Sequence, residues 1–69
     1  MAEPISVVVV DDHPLLRMGV ANSIEQTTDM RLAGQFADAA SLKTWIESGK
    51  RADVVLLDRS LPDMDALDM

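Results

Sequence analysis

Residues 7–12 read VVVVDD, four consecutive β-branched side chains followed at once by two carboxylates. A strand with one wet face alternates apolar and polar residues, whereas an unbroken valine run needs cover on both faces. Strands of that kind belong to parallel sheets, whose crossover helices lie over both sides. The run also poses an electrostatic question, because Asp11 and Asp12 set two like charges side by side at the strand's end. One acid can cap the following helix. Two need a counter-charge.

The rest of the chain supplies the crossovers. Residues 5–10, ISVVVV, form the first expected strand, and Pro14 suits the first turn of a helix, where its missing N–H is not needed. Leu16, Val20 and Ile24 recur at four-residue spacing, with Met18 and Ala21 nearby, which predicts an amphipathic helix from Leu15 to about Thr27. Residues 30–36, MRLAGQF, read as a second, poorer strand carrying Leu32 and Phe36. Asp38 or Ser41 can cap a second helix whose apolar face is Leu42, Trp45 and Ile46. Gly49 ends that helix, with Lys50 and Arg51 favourable near its carbonyl end. Residues 53–58, DVVLLD, form a third strand that is again apolar on both faces. RSLPDMD then reads as a loop, since Pro62 restricts Leu61 to extended conformations, and ALDM can begin a third helix. The order β-α-β-α-β argues for an α/β fold with parallel strands and right-handed crossovers.

Composition narrows the function classes. At 69 residues the chain is one small domain, and it has no cysteine for a disulfide or a thiolate metal site. With 12 acids against 6 bases the net charge is -6, which disfavours binding to nucleic acid. No segment approaches the roughly 18 apolar residues of a membrane span. The opening MAEPIS carries an acid and lacks the basic region of a signal peptide. A soluble, cytoplasmic protein is the expectation.

Parallel strands point their carboxyl ends at one crevice, where ligands bind. Asp11 and Asp12 end the first strand and Asp58 ends the third, so neighbouring strands would bring three carboxylates to one rim. Such a group repels itself unless a cation joins it. Magnesium suits it, preferring oxygen ligands and keeping positions for water or a phosphate oxygen. A carboxylate beside that ion can act as a nucleophile toward phosphorus, giving an aspartyl-phosphate. Each acid also has a structural reading, Asp12 as a helix cap and Asp58 as the start of a turn.

VVVVDDHPLLRMGV together with ADVVLLDRSLPDMDALDM resembles the first half of a response-regulator receiver domain, and DDHPLLRMGV is most similar to the NarL/FixJ type. The resemblance covers residues 5–69. It implies half of a flavodoxin-like, doubly wound parallel sheet, (βα)2β with strand order 2-1-3. It implies that Asp58 accepts a phosphoryl group from a sensor histidine kinase. It implies further that Asp11, Asp12, Asp58 and the backbone carbonyl of Ser60 bind Mg2+. Residues 1–69 are then expected to be a truncated receiver domain without an output domain. The fourth strand with its switch Ser or Thr and the fifth strand with its Lys have no counterpart here, and Ala66 stands where the family usually has Gly.

Those departures support an alternative, a fragment unable to be phosphorylated that serves as an interaction or oligomerisation module. An aspartate-nucleophile phosphatase of the haloacid-dehalogenase type is a weaker third reading, because Ser60 occupies the place of that family's second acid. In the receiver reading strand 53–58 is left at an edge, available to a second copy or to the remaining half of a receiver. His13 is expected to be structural or solvent-facing, since magnesium prefers oxygen. Met64 and Met69 are expected as gap-fillers or exposed ends, and Trp45 as core packing.

Overall fold

The computed structural model describes residues 3–67. Three strands, β1 (Ile5–Val10), β2 (Met30–Phe36) and β3 (Val54–Leu57), alternate with two helices, α1 (Pro14–Glu25) and α2 (Ala39–Glu47). A single 3-10 turn, Met64–Leu67, follows. The sheet is parallel with order β2-β1-β3, which places the four-valine strand in the centre. Met69 and the end of the ALDM segment lie outside the described residues.

The valine run is accounted for by two cores, one on each side of β1. Val8 and Val10, both 0% exposed, pack with Ala39, Leu42 and Leu61 on the α2 side. Val7 and Val9 face the other way and pack with Ile24, flanked by Val20, Met30 and Leu32. Successive side chains of a strand point to opposite faces, so each pair of valines serves one helix. Fully burying a valine contributes about 1.5–3 kcal/mol relative to leaving it exposed.

The helix ends follow local chemistry. Pro14 opens α1, and His13 is the N-cap residue without a side-chain cap bond, so Asp12 is not a helix cap. Asp38, rather than Ser41, caps α2, its carboxylate accepting from the Ser41 N–H at 2.8 Å. Gly49 follows α2 with φ +94°, a left-handed conformation that only glycine adopts without strain. In β2, a Cβ at Gly34 would meet the Phe36 ring at 3.2 Å, which lets Phe36 fold back toward Trp45. The two rings lie 5.8 Å apart at 55°, and the half-buried Trp45 packs against the α2-side core as expected.

The apolar spacing of α1 runs through Leu16, Val20 and Ile24 with Met18 and Ala21 nearby, yet Leu16 and Met18 are more than half exposed; Ala21 and Ile24 carry the burial. The C-terminal half of α1 rests on the sheet through Val20 and Ile24, while Leu15, Leu16 and Met18 in its first turns are exposed. Ile46 is likewise half exposed at the open side of α2. Strand β3 has only one neighbour, and Val54, Val55 and Leu56 are each about 40% exposed. Leu42, Ile46, Val55, Leu57, Ala66 and Leu67 border an apolar groove there.

At the amino end of the sheet β1 and β3 are latched by polar groups. The Asp53 carboxylate accepts from the Ser6 N–H at 2.9 Å and the Ser6 hydroxyl at 3.2 Å. The Asp53 N–H in turn donates to the Ser6 hydroxyl and carbonyl oxygens. Ser6 is buried, and these bonds satisfy it. The latch fixes the register that decides what meets at the opposite rim.

Candidate functional site

That register pairs Val7 with Val54 and Val10 with Leu57. The residues that follow each strand, Asp11 and Asp58, therefore leave the sheet side by side. The Asp58 N–H donates to the Val10 carbonyl and the Asp11 N–H to the Phe36 carbonyl, each at 3.0 Å, so both chain exits are held by the ladder. Asp11, Asp12, His13 and Asp58 each bring a ligand-type atom to one cluster, all within 4.8 Å of one another. The rim predicted from the apolar strands is present, with Asp11 buried, Asp58 half-buried and Asp12 exposed.

His13, expected to be structural or solvent-facing, also enters this cluster. Its ring is solvent-facing, 62% exposed, but Nδ1 lies 2.8 Å from Asp11 Oδ1, 3.1 Å from Asp12 Oδ1 and 3.4 Å from Asp58 Oδ2. The hydrogen bond to Asp11, followed by the charge of Asp12, raises the His13 pKa above its ordinary value of 6.5. A protonated ring is thus the counter-charge that the chain itself can offer to its paired acids. The placement follows from backbone geometry: as N-cap, His13 has extended φ and ψ, and its N–H donates to Asp11 Oδ1 at 2.9 Å. Sequence spacing gave no sign of that turn.

The two oxygens of Asp58 differ. Oδ1 accepts from the Ser60 N–H at 3.0 Å and the Ser60 hydroxyl at 2.9 Å, a turn that ties the acid to the loop after β3. These bonds, the N–H first, hold the Asp58 carboxyl below its ordinary value. The turn reading of Asp58 is therefore correct and leaves its second oxygen free. Oδ2 is buried without a hydrogen-bond partner, and His13 Nδ1 at 3.4 Å is a charge neighbour rather than a donor. Buried carboxylate oxygens do not stay unpaired without cause.

An all-oxygen trio with one orphaned buried oxygen fits a hard divalent cation. The acid cluster matches the Mg2+-binding site of receiver domains. Two supporting residues were not legible in the sequence. Arg17, one turn into α1, donates from Nη1 to the Asp11 carbonyl at 2.8 Å. Asp63 accepts from the Ala39 N–H at 2.9 Å and the Ala40 N–H at 3.0 Å, joining the loop after β3 to the start of α2. Lys50 and Arg51 are exposed and precede β3, away from the acid rim.

A parallel 2-1-3 sheet with helices on both faces and an acid trio at its carboxyl rim defines an α/β module with a candidate cation site. The chain belongs to the response-regulator receiver domain family, whose model matches residues 7–69. It is 33% identical over 66 residues to the nitrate/nitrite response regulator NarL of Escherichia coli, covering 96% of this chain and 30% of that protein. It is 38% identical to the nitrate/nitrite response regulator NarP of Escherichia coli, over 97% of this chain and 31% of that protein.

Among solved structures, the signal receiver domain of NarL from Mycobacterium tuberculosis superposes with a TM-score of 0.80 at 36% identity, covering 91% of this chain and 50% of that one. The isolated receiver domain of RcsB from Salmonella enterica, in the presence of the phosphomimetic BeF3-, superposes at 0.76 and 30% identity, covering 86% of this chain and 42% of that one. The chain thus spans about a third of these curated relatives and about half of an isolated receiver domain. The Ala66 N–H closes the 3-10 turn on the Asp63 carbonyl at 2.9 Å, and among the described residues only Gly49 has positive φ, so Ala66 sits there without left-handed strain.

Proposed function

We propose that Asp58 is the phosphoacceptor of this module and that Asp11, Asp12, Asp58 and the Ser60 backbone carbonyl are the Mg2+ ligands. The observation that carries the reading is the division of labour at Asp58: one oxygen is fixed by Ser60 and the other is buried without a hydrogen bond beside two further acids. In the proposed step a carboxylate oxygen of Asp58 forms a bond to phosphorus. The P–N bond of a phosphohistidine breaks, and its electron pair returns to the imidazole nitrogen. The bound cation supplies neutralisation of charge on the transferred group. The donor is a sensor histidine kinase, and the setting is the cytoplasm, with transcription regulation as the downstream process.

We further propose that the free side of β3 is an interaction edge, taken by a second copy or by the other half of a receiver domain. Its apolar side chains are exposed, and neither a proline nor an inward lysine blunts it. Sedimentation at increasing concentration tests this: self-association lost in a Leu56→Lys variant supports a second copy.

Beryllofluoride tests the acceptor reading. With Mg2+, it should raise the unfolding midpoint of the wild-type chain, because a ligand that binds only the folded state stabilises it. Asp58→Asn should show no such rise. An equal rise in both proteins would remove Asp58 from the proposal.

A further inference from the structure

We propose that Asp63 is a positioning residue for phosphoryl acceptance, holding the loop from Asp58 to Asp63 against the first turn of α2. The proposal rests on the assignment of Asp58 as acceptor and extends it to a residue outside the acid cluster. Helix α2 already has a local cap, since Asp38 accepts from the Ser41 N–H at 2.8 Å. Asp63 takes the two preceding helix donors, the Ala39 and Ala40 N–H groups, from 24 and 23 residues away in sequence. The same helix end therefore carries two carboxylates of different reach. Asp38 serves the helix alone, whereas Asp63 also fixes where the acceptor loop lies.

Between acceptor and anchor the loop is held by one buried side chain and one weak backbone bond. The Leu61 side chain is buried, packed with Ala39 and Leu42 at the same end of α2. The Leu61 N–H reaches the Asp58 carbonyl only at 3.4 Å, a weak bond. Ser60, which holds Asp58 Oδ1 through two donors, is itself exposed and sits between these points. Releasing Asp63 removes the polar anchor of the segment and leaves Leu61 alone to hold the position of Ser60, and through it the acceptor carboxylate. A cap lost at Asp38 weakens the helix end without loosening that segment.

The test compares Asp63→Ala, Asp63→Asn and Asp38→Ala in the full chain. The first readout is amide hydrogen exchange at Ser60 and Leu61, normalised to Val8 and measured without metal or phosphodonor. The second is the Mg2+-dependent rate of phosphorylation by acetyl phosphate. Asp63→Ala should speed exchange at both amides by at least roughly tenfold and slow phosphorylation, because local opening sets exchange. Asp63→Asn keeps one acceptor oxygen and should lie between it and the wild type, which also decides the matter where the alanine variant folds poorly. Asp38→Ala should leave the normalised exchange and the rate at wild-type values.

Equal effects of Asp38→Ala and Asp63→Ala on both readouts would reduce Asp63 to a second helix cap and overturn the proposal. So would unchanged exchange in Asp63→Ala. A wild-type chain that takes no phosphoryl group, with exchange responding as expected, would instead refute the acceptor assignment and leave the loop anchor standing.

Discussion

Replacing Val8 by alanine tests the claim that β1 is buried on both faces. Val8 is 0% exposed and packs against Ala39, Leu42 and Leu61, where the neighbouring backbone of α2 cannot close in freely. The substitution removes two methyl groups, at about 0.8 kcal/mol each for lost burial. The cavity left behind adds up to about 1 kcal/mol, so the total loss is about 2–3 kcal/mol. Val9→Ala should cost nearly as much from the opposite core, because Val9 is only 3% exposed. Leu15→Ala, at a site 86% exposed, should change stability by less than about 0.5 kcal/mol.

Urea unfolding followed by Trp45 fluorescence measures all three, since Trp45 is the chain's one tryptophan and packs in a tilted contact with Phe36. The midpoints should shift while the slopes stay constant. If Val8→Ala and Val9→Ala differ severalfold, one face of β1 is open and the two-core argument fails.

Further expectations concern the helix ends and the metal. Gly49→Ala should destabilise the chain by about 1 kcal/mol in the same assay, because its φ of +94° strains any residue with a Cβ. Asp38 titrates below its ordinary value of 3.8, held down by the Ser41 hydroxyl and then its N–H. Its contribution to stability is therefore present above that value and is lost as pH falls through the lowered one; Asp38→Ala should flatten this part of the acid-unfolding curve. Mg2+ at ten times its Kd should raise the stability of the wild type by about 1.4 kcal/mol. Thermal unfolding with and without EDTA reads that shift, which should be lost in Asp12→Asn.

What was legible in the sequence was whatever repeats locally. Four valines need cover on both faces, which marks β1 as a strand of a parallel sheet. The order 2-1-3, which puts β1 at the centre and brings the acids after β1 and β3 together, came from the family resemblance, since β3 is as apolar as β1 and lies at an edge. Asp38 and Gly49 act within one turn of their helix, and their residue types reveal the role. The apolar spacing of α1 was read correctly as amphipathic, yet Leu16 and Met18 are exposed. Periodicity states which face is apolar and does not state how much of it has a neighbour.

The features that escaped are long-range or rotameric. The carboxylate of Asp63 reaches donors 24 and 23 residues back, and nothing in its flanking residues marks it. Ser6 and Asp53 are 47 residues apart, a pair visible only once β1 and β3 are in register. The imidazole of His13 is a poor ligand for magnesium, which says nothing of where the ring lies. Its place among the acids comes from the turn made when its N–H bonds Asp11, a backbone event that composition does not encode.

The most direct test of the account is the intact mass of the chain before and after incubation with Mg2+ and acetyl phosphate, with Asp58→Asn in parallel. A labile gain of one phosphoryl group in the wild type, absent from the variant and dependent on Mg2+, is the expected result. No gain in a folded wild-type sample, or the same gain in Asp58→Asn, would contradict the claim that the register of β1 and β3 builds a working acceptor at Asp58.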